Sequence, residues 1–407
     1  MMQNNYRCQV YLWDQLVGEM VLVKESVYFK YNEAFDLNIS PIALPLSSAQ
    51  YNFDTLDFQH KLPGVFSDSL PDNFGMKVID NYFAQIYTNF TPNIIDKLLF
   101  IGDVSLGALK YKPNPVKSNT KSIPIMLREV RQFQKVMLED NTYDSIRNVI
   151  DMYKTFSPVG GAKEKLILSY NEQKQSFYIG ETKKGDKALI VKIDESEYPH
   201  YGAASIIEYI YSLVAASCGI NIPKTYLFDD TLGYKHFAIE RFDIDINADR
   251  LHTHTLSGLL NLEKSTSIDY ANIFTLAKQQ LLVSQEDIDE LFRRMVFNYT
   301  YNNNDDHLKN TTFLMDKHGR WKLSPAYDLT YNNTKGQREM ILKINKKLSS
   351  QVNYSDFAQL GDRFGVDYKT IIKEVQNSVS ELNRLIDKYK HKNIQFDLLE
   401  IKQIRVI

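Results

Sequence analysis

Cysteine is almost absent from this sequence: Cys8 and Cys218 are the only two among 407 residues. They stand too far apart for a metal-binding spacing, and two thiols make no disulfide framework. A disulfide-stapled secreted scaffold is therefore excluded, and a reducing compartment is expected. An excess of either charge is missing too. The 48 Lys and Arg residues against 50 Asp and Glu leave a formal net charge of −2 and a pI near 6.5. That balance argues against a chain that grips nucleic acid through a basic surface of its own. No apolar run approaches the ~18 residues of a membrane span; one of the longest, Ile206–Ala216, carries Glu208 and two tyrosines. The opening MMQNNYRCQVYLWDQ has neither a basic n-region nor an apolar h-region, so the expectation is a soluble, cytoplasmic protein with no membrane contact. Internal repeats are lacking. So is the G-x-x-x-x-G-K-[ST] pattern, which disfavours P-loop nucleotide chemistry.

What is present is ample core material. Apolar residues make up 43% of the chain, a little low, but 12% aromatics compensate with large buried surfaces. A chain of this length exceeds one comfortable hydrophobic core, so two or three packed subdomains are expected. Residues 9–31 alternate apolar and polar around Asp14 and Gly18, the pattern of a small antiparallel meander. Pro71-Asp72-Asn73 opens a helix with Phe74, Val78, Tyr82 and Phe83 on one face, and a second helix is expected over Ile94–Ile101. Residues 112–124, KPNPVKSNTKSIP, hold three of the twelve prolines and read as a linker. Helices follow at Leu127–Leu138 and about Asp144–Thr155. From 157 onward the order is three strands, a helix ended by Gly219, and two strands, an α+β layer. After 255 helices dominate, interrupted over 301–332 by a loop, a hairpin and a loop. The charge-rich stretch Lys369–Tyr389 reads as a solvated surface helix.

Four features together fit phosphoryl transfer from ATP. That reaction needs a carboxylate aimed at the attacking hydroxyl, ligands for Mg²⁺, a cation on the phosphates, and backbone N–H groups over them. Asp305 in N-D-D-H-L-K-N is followed five residues on by Asn310, the base-to-metal-ligand interval of a protein-kinase catalytic loop. Asp306 is adjacent, and chemistry alone does not choose between the two aspartates. Asp328, in S-P-A-Y-D-L, lies eighteen residues beyond Asn310, where a kinase presents its second metal-binding aspartate. Lys192 ends the apolar strand A-L-I-V-K-I, like the lysine of V-A-I-K, and Glu208 on the next helix is its candidate ion-pair partner. The segment Val159, Gly160, Gly161, Ala162, Lys163, with Lys165 just beyond, combines glycines that allow close approach of an anion with positive charge. Glu240, Arg241 and Phe242 enter a connector at the position of an adenine-reading hinge. His252 and His254 have strand spacing, but no further Cys/His cluster accompanies them, so zinc is not expected.

These residues resemble a known family. D-D-H-L-K-N is similar to the D-G-H-x-K-N signature of HipA-type kinases, with S-P-A-Y-D-L, V-G-G-A-K-E-K, I-V-K-I and A-I-E-R-F-D matching its other motifs in order from about residue 8 to about 335. The resemblance implies an α+β, protein-kinase-like bilobal fold. Its N-terminal lobe is a mixed β-sheet with an extra small N-terminal subdomain, and its C-terminal lobe is mainly helical. The boundaries expected are 1–112, 125–245 and 246–407. It further implies Asp305 as base, His307 and Lys309 as signature residues, Asn310 and Asp328 as metal ligands, and ATP with Mg²⁺ as cofactors. The activity implied is that of a bacterial serine/threonine kinase toxin acting on a protein such as an aminoacyl-tRNA synthetase. Its partner would be a helix-turn-helix antitoxin, so DNA is met only indirectly. The family also phosphorylates a serine in its own phosphate loop. Here Pro158 takes the usual serine position, and Ser157, one residue earlier, is the candidate substitute. Asp306 replaces the glycine of D-G-H and adds negative charge beside the base, an arrangement expected to raise the pKa of Asp305 by repulsion. Two other readings fit the same residues: a nucleotide-binding module without strong catalysis, and a small-molecule kinase.

Overall fold

The computed structural model describes residues 4–71, 73–87, 89–113, 123–138, 165–180, 182–194, 196–197, 203–245, 249–332, 338–390 and 401–407. Its contacts divide the chain into two compact units that interleave along the sequence. One comprises Met1–Ile193, Glu240–Leu262 and Leu314–Gly319; the other comprises Asp194–Ile239, Glu263–Phe313 and Arg320–Ile407. The helix expected near Asp144–Thr155 and the phosphate-loop residues 157–163 lie outside the described residues.

In the first unit, the alternating residues of the N-terminal third form β1 (Arg7–Leu12), β2 (Gln15–Val23) and β3 (Ser26–Tyr31), the expected meander. Two further strands, β4 (Gln50–Asn52), which alternation does not mark, and β5 (Leu109–Lys112), complete an antiparallel sheet in the order β4-β3-β2-β1-β5. The period-two alternation turns Cys8, Val10, Leu12, Met20, Val27 and Phe29 inward. Phe29 lies 4.9 Å from both Tyr31 and Phe66, ring edge against ring face. The helix Ile94–Ile101 falls where expected, started by a reciprocal Asn93/Asp96 capping box.

The linker reading of 112–124 needs correction at its end. Ile123–Ile125 is a strand, β6, whose Ile123 and Ile125 pair with Ile179 and Phe177. A Pro-containing edge strand has little local signal, and its partner lies more than fifty residues away. It belongs to a second sheet with β7 (Lys165–Asn171), β8 (Ser176–Ile179) and β9 (Lys187–Lys192), in the order β9-β7-β8-β6.

Two short helices, Gly64–Ser67 and Leu256–Leu260, meet in this unit backbone to backbone. A Cβ on Gly64 would stand 2.2 Å from the Gly258 carbonyl oxygen and 2.4 Å from its Cα. Neither atom can swing aside. Gly64→Ala should therefore destabilise the protein by about 1–3 kcal/mol, as overpacking does, read as a lower denaturant midpoint. A midpoint equal to wild type would contradict the crossing.

The second unit is mainly helical. It contains Ala203–Ser217, the hairpin Thr225–Asp229 with Lys235–Glu240, and the helices Tyr270–Gln279, Gln285–Thr300 and Tyr354–Phe364. Phe274, Phe292, Phe357 and Phe364 interlock among these last three, with Phe274 and Phe364 centred 5.2 Å apart. The expected single C-terminal helix is two, Tyr368–Asn377 and Val379–Tyr389, hinged at Ser378. Nor are they simply solvated. Ile371, Ile372, Val375, Leu382, Leu385 and Ile386 form a buried stripe, which high charge on the remaining faces masks in a composition reading. Among the described residues no helix is long and apolar enough to cross a membrane.

Candidate active site

The helix Gln285–Thr300 leads into the loop that holds the candidate residues Asp305 to Asn310. Its Ser284 cap accepts from Asp287 N, and Leu291, Phe292, Met295, Val296 and Phe297 anchor its inner face. The chain then turns sharply through Asn302, at φ 54°. Asn303 is tied back by its amide to the Asn298 side chain at 2.9 Å and by its backbone N to the Asn298 carbonyl at 3.0 Å.

Beyond that turn the two aspartates separate. Asp305 is half-buried, whereas Asp306 is 3% exposed. Both Asp306 oxygens are occupied: Oδ1 accepts from Ile341 N and Leu342 N, and Oδ2 accepts from the Tyr270 hydroxyl at 3.0 Å. Asp306 thus points into the unit, and Asp305 is the more exposed of the two.

His307 caps a single 3₁₀ turn, Leu308–Asn310, in which Asn310 N donates to the His307 carbonyl at 2.9 Å. The Asn310 side chain folds back so that Nδ2 donates to the Asp305 backbone carbonyl at 2.9 Å. Its Oδ1 is buried with no hydrogen-bond partner among the described residues. A buried acceptor left unsatisfied is costly, and an amide oxygen is a ligand that suits a hard cation. Burial holds the His307 pKa below its ordinary value, against the raising pull of Asp305 and then Asp328, with Lys264 adding to the depression. The imidazole is accordingly neutral at physiological pH, and both carboxylates act on it.

Asp328 reaches this neighbourhood through the tyrosine before it. The Tyr327 hydroxyl donates to the Lys309 carbonyl at 2.5 Å and lies 2.6 Å from Thr312 Oγ1, clamping the end of the catalytic loop. Asp328 then takes φ 57°, a left-handed conformation uncommon outside glycine. Such strain concentrates at functional sites. Lys309 is half-buried, and its carbonyl is what Tyr327 grips.

On the first unit, the antiparallel register sets Lys165 directly opposite Lys192. Opposed residues of such a pair share a face, and these two lysines are 4% and 8% exposed. Two cations juxtaposed there favour an anion. Glu208, on the helix Ala203–Ser217 of the second unit, is buried. The hinge residues have structural partners: Glu240 pairs with Lys187 at 3.3 Å, Arg241 grips Asp243 through two bonds of 2.9 and 2.7 Å, and Phe242 is buried. Burial tends to raise the Asp243 pKa, but the Arg241 and Arg250 guanidiniums outweigh it and hold the carboxylate ionised.

His252 and His254 serve packing. His252 Nε2 meets the Ile39 carbonyl at 2.9 Å, and His254 bridges Asp68 at 2.8 Å and Ser40 at 2.9 Å. Among the described residues no group of three or more His, Cys, Asp or Glu side chains could hold a metal. A cation at the catalytic loop would therefore draw on one amide and one carboxylate, with the rest from phosphate and water, the usual manner of Mg²⁺. Sequence reasoning missed Tyr270, Asn298 and Tyr327. Only Tyr327 left a trace, as the tyrosine of S-P-A-Y-D-L.

Comparison with known proteins bears on the same segments. The family described as HipA-like C-terminal domain matches residues 157–383, more than half of the chain, and the HipA N-terminal domain family matches 8–112. The solved complex of the Shewanella oneidensis MR-1 toxin–antitoxin system, HipA with HipB and its operator DNA, contains a chain similar over 97% of this chain and 95% of its own. The TM-score is 0.67 at 18% identity, a likeness of fold. That fold is α+β, protein-kinase-like and bilobal. A Haemophilus influenzae protein provisionally named a kinase is 25% identical over 219 residues, spanning 46% of this chain and 62% of that relative's length. The Helicobacter pylori proinflammatory kinase CtkA is more distant, at 15% identity and a TM-score of 0.37 over 59% of this chain and 95% of its own.

Proposed function

This chain belongs to the HipA family, and from that premise we propose that it is an ATP- and Mg²⁺-dependent serine/threonine protein kinase, the toxin of a toxin–antitoxin pair. The observation that carries the proposal is the Asn310 side chain: its Nδ2 donates to the Asp305 carbonyl while its buried Oδ1 has no partner among the described residues, in a loop whose His307 feels both Asp305 and Asp328.

In this reading the substrate hydroxyl hydrogen-bonds to the Asp305 carboxylate, which takes its proton as the new oxygen–phosphorus bond forms. The bond from the γ-phosphorus to the β,γ-bridging oxygen breaks, and its electron pair leaves on ADP. Asn310 Oδ1 and Asp328 are the residues suited to Mg²⁺, which when bound offsets the charge on the phosphates. His307, neutral, brings no positive charge beside the two carboxylates. Lys192 and Lys165 supply positive charge for the phosphates, together with the segment 159–163. The protein substrate belongs to the translation machinery, as the family resemblance implies. A helix-turn-helix antitoxin supplies DNA binding, which fits the net charge of −2. Ser157 stands in for the usual loop serine as the autophosphorylation site.

Transfer of label from γ-labelled ATP tests the proposal against a lysate, the protein itself and a pool of small metabolites. Label on serine or threonine of protein is expected. Label on metabolites alone would replace this reading with a small-molecule kinase. Lys192→Ala should raise KM for ATP by about 10- to 100-fold, the worth of one charge-assisted hydrogen bond of about 1.5–3 kcal/mol. An unaltered KM would remove Lys192 from the phosphate site.

A further inference from the structure

Asp306 is a thoroughly partnered carboxylate, yet the proposed reaction gives it no task. Its Oδ1 accepts from Ile341 N at 2.7 Å and Leu342 N at 3.2 Å, and its Oδ2 accepts from Tyr270 Oη at 3.0 Å. Tyr270 Oη in turn accepts from Asn298 Nδ2 at 3.1 Å, and Asn298 Oδ1 accepts from Asn303 Nδ2 at 2.9 Å. The receiving segment is itself anchored: Lys343 N donates to the Ile268 carbonyl and Tyr270 N to the Lys343 carbonyl, each at 2.9 Å. One continuous polar network thus joins the two ends of the turn that holds Asp305 to the helices Tyr270–Gln279 and Gln285–Thr300 and to residues 341–343.

We propose that Asp306 is the positioning residue of this kinase, a buried carboxylate that fixes the direction of Asp305 by anchoring the catalytic loop to Tyr270 and the 341–342 backbone. The proposal rests on the reading of Asp305 as base. Its physical basis is that neighbouring side chains are set by one short backbone path: a loop that commits residue 306 inward has committed residue 305 to the opposite side. A wholly apolar side chain at 306 would leave two backbone N–H groups and a phenol unsatisfied, so the position demands an acceptor.

The charge matters as well as the shape. Burial pushes the Asp306 pKa up to about 7, although the Leu342 N–H, the Tyr270 hydroxyl and the Ile341 N–H all favour the ionised form. Among the described residues, Arg405 acts on Asp306 by its charge and Arg294 acts on Tyr270, with Asp305 and His307 as chain neighbours. A carboxylate with a raised folded-state pKa binds its proton more tightly folded than unfolded. Ionising it therefore costs stability as pH rises from about 4 to about 7. Asp306→Asn removes that cost while keeping one acceptor oxygen for the two backbone N–H groups. Its new amide cannot accept the Tyr270 proton, so the brace is loosened where the loop is held.

The expected signature is thus a dissociation of stability from activity. Asp306→Asn should unfold at the same temperature as wild type or higher, yet lose about 10- to 100-fold in kcat with KM for ATP within about threefold of wild type. Its amides over 304–310 should exchange with deuterium at least about tenfold faster. Wild-type kcat should rise with pH through about 7, a limb that Asp306→Asn lacks. Tyr270→Phe, which removes the two bonds of the phenol and leaves those from Ile341 N and Leu342 N, should shift exchange and kcat in the same direction, and serves if the first variant folds poorly. Unchanged exchange and unchanged kcat in a folded Asp306→Asn would overturn the proposal. Asp305→Asn, measured in parallel, keeps the two readings apart: retained activity there would sink Asp305 as base, while its loop exchange would still match wild type if Asp306 is the anchor.

Discussion

Asp305→Asn should slow phosphoryl transfer from ATP by about 10²- to 10⁴-fold, the range that a positioned general base contributes, with nucleotide affinity close to wild type. The substitution is informative because of what it spares. Asn310 Nδ2 holds the backbone carbonyl of residue 305 and not its side chain, so the loop keeps its main tie when the carboxylate becomes an amide. Only proton acceptance is lost. Asp306 cannot take over, since both of its oxygens are occupied and it is buried. Single-turnover transfer to a protein substrate, with nucleotide binding measured alongside, checks this. Equal rates in wild type and variant would place the base elsewhere.

Asp328→Ala should abolish the Mg²⁺-dependent part of ATP binding, weakening it by at least about 10²-fold, above what outer-shell changes usually cost a metal site. Binding in the absence of Mg²⁺ should change little. Two effects overlap at this position, because Asp328 also adopts φ 57°, which alanine tolerates less well than aspartate or asparagine. Asp328→Asn separates them: it keeps the backbone preference and loses the charge. If the asparagine variant binds Mg·ATP as wild type does, Asp328 is a conformational residue and not a ligand. Asp328 also raises the His307 pKa, so either substitution should lower that pKa further, visible by nuclear magnetic resonance as a His307 ring titration moved to more acidic pH.

Much of this protein was legible because its signals are local. The meander of residues 9–31 follows from alternation, and the Ile94–Ile101 helix from its cap and apolar stripe. The C-terminal helices were misjudged for the converse reason: a count of charges ignores on which face the apolar residues recur, and Ile371, Val375, Leu382 and Ile386 all recur on the buried one. The β6 strand escaped because pairing with β8, not its own three residues, makes it a strand.

The candidate site divides along the same line. By itself the sequence determined which chemistry was present: a carboxylate and an amide five residues apart, a second aspartate downstream, and lysines at strand ends, all covalent facts of residue type and interval. Only the tertiary structure decided their directions. It turned Asp306 inward through Tyr270, 36 residues away, and through Ile341, 35 away. It bent the Asn310 amide back onto the loop, gave Tyr327 its grip on Lys309, and set Lys165 across from Lys192. Spacing along a chain limits what side chains can reach, but burial and hydrogen bonds contributed by remote segments choose among the directions that remain. Those segments carry no mark of the choice in their own local pattern.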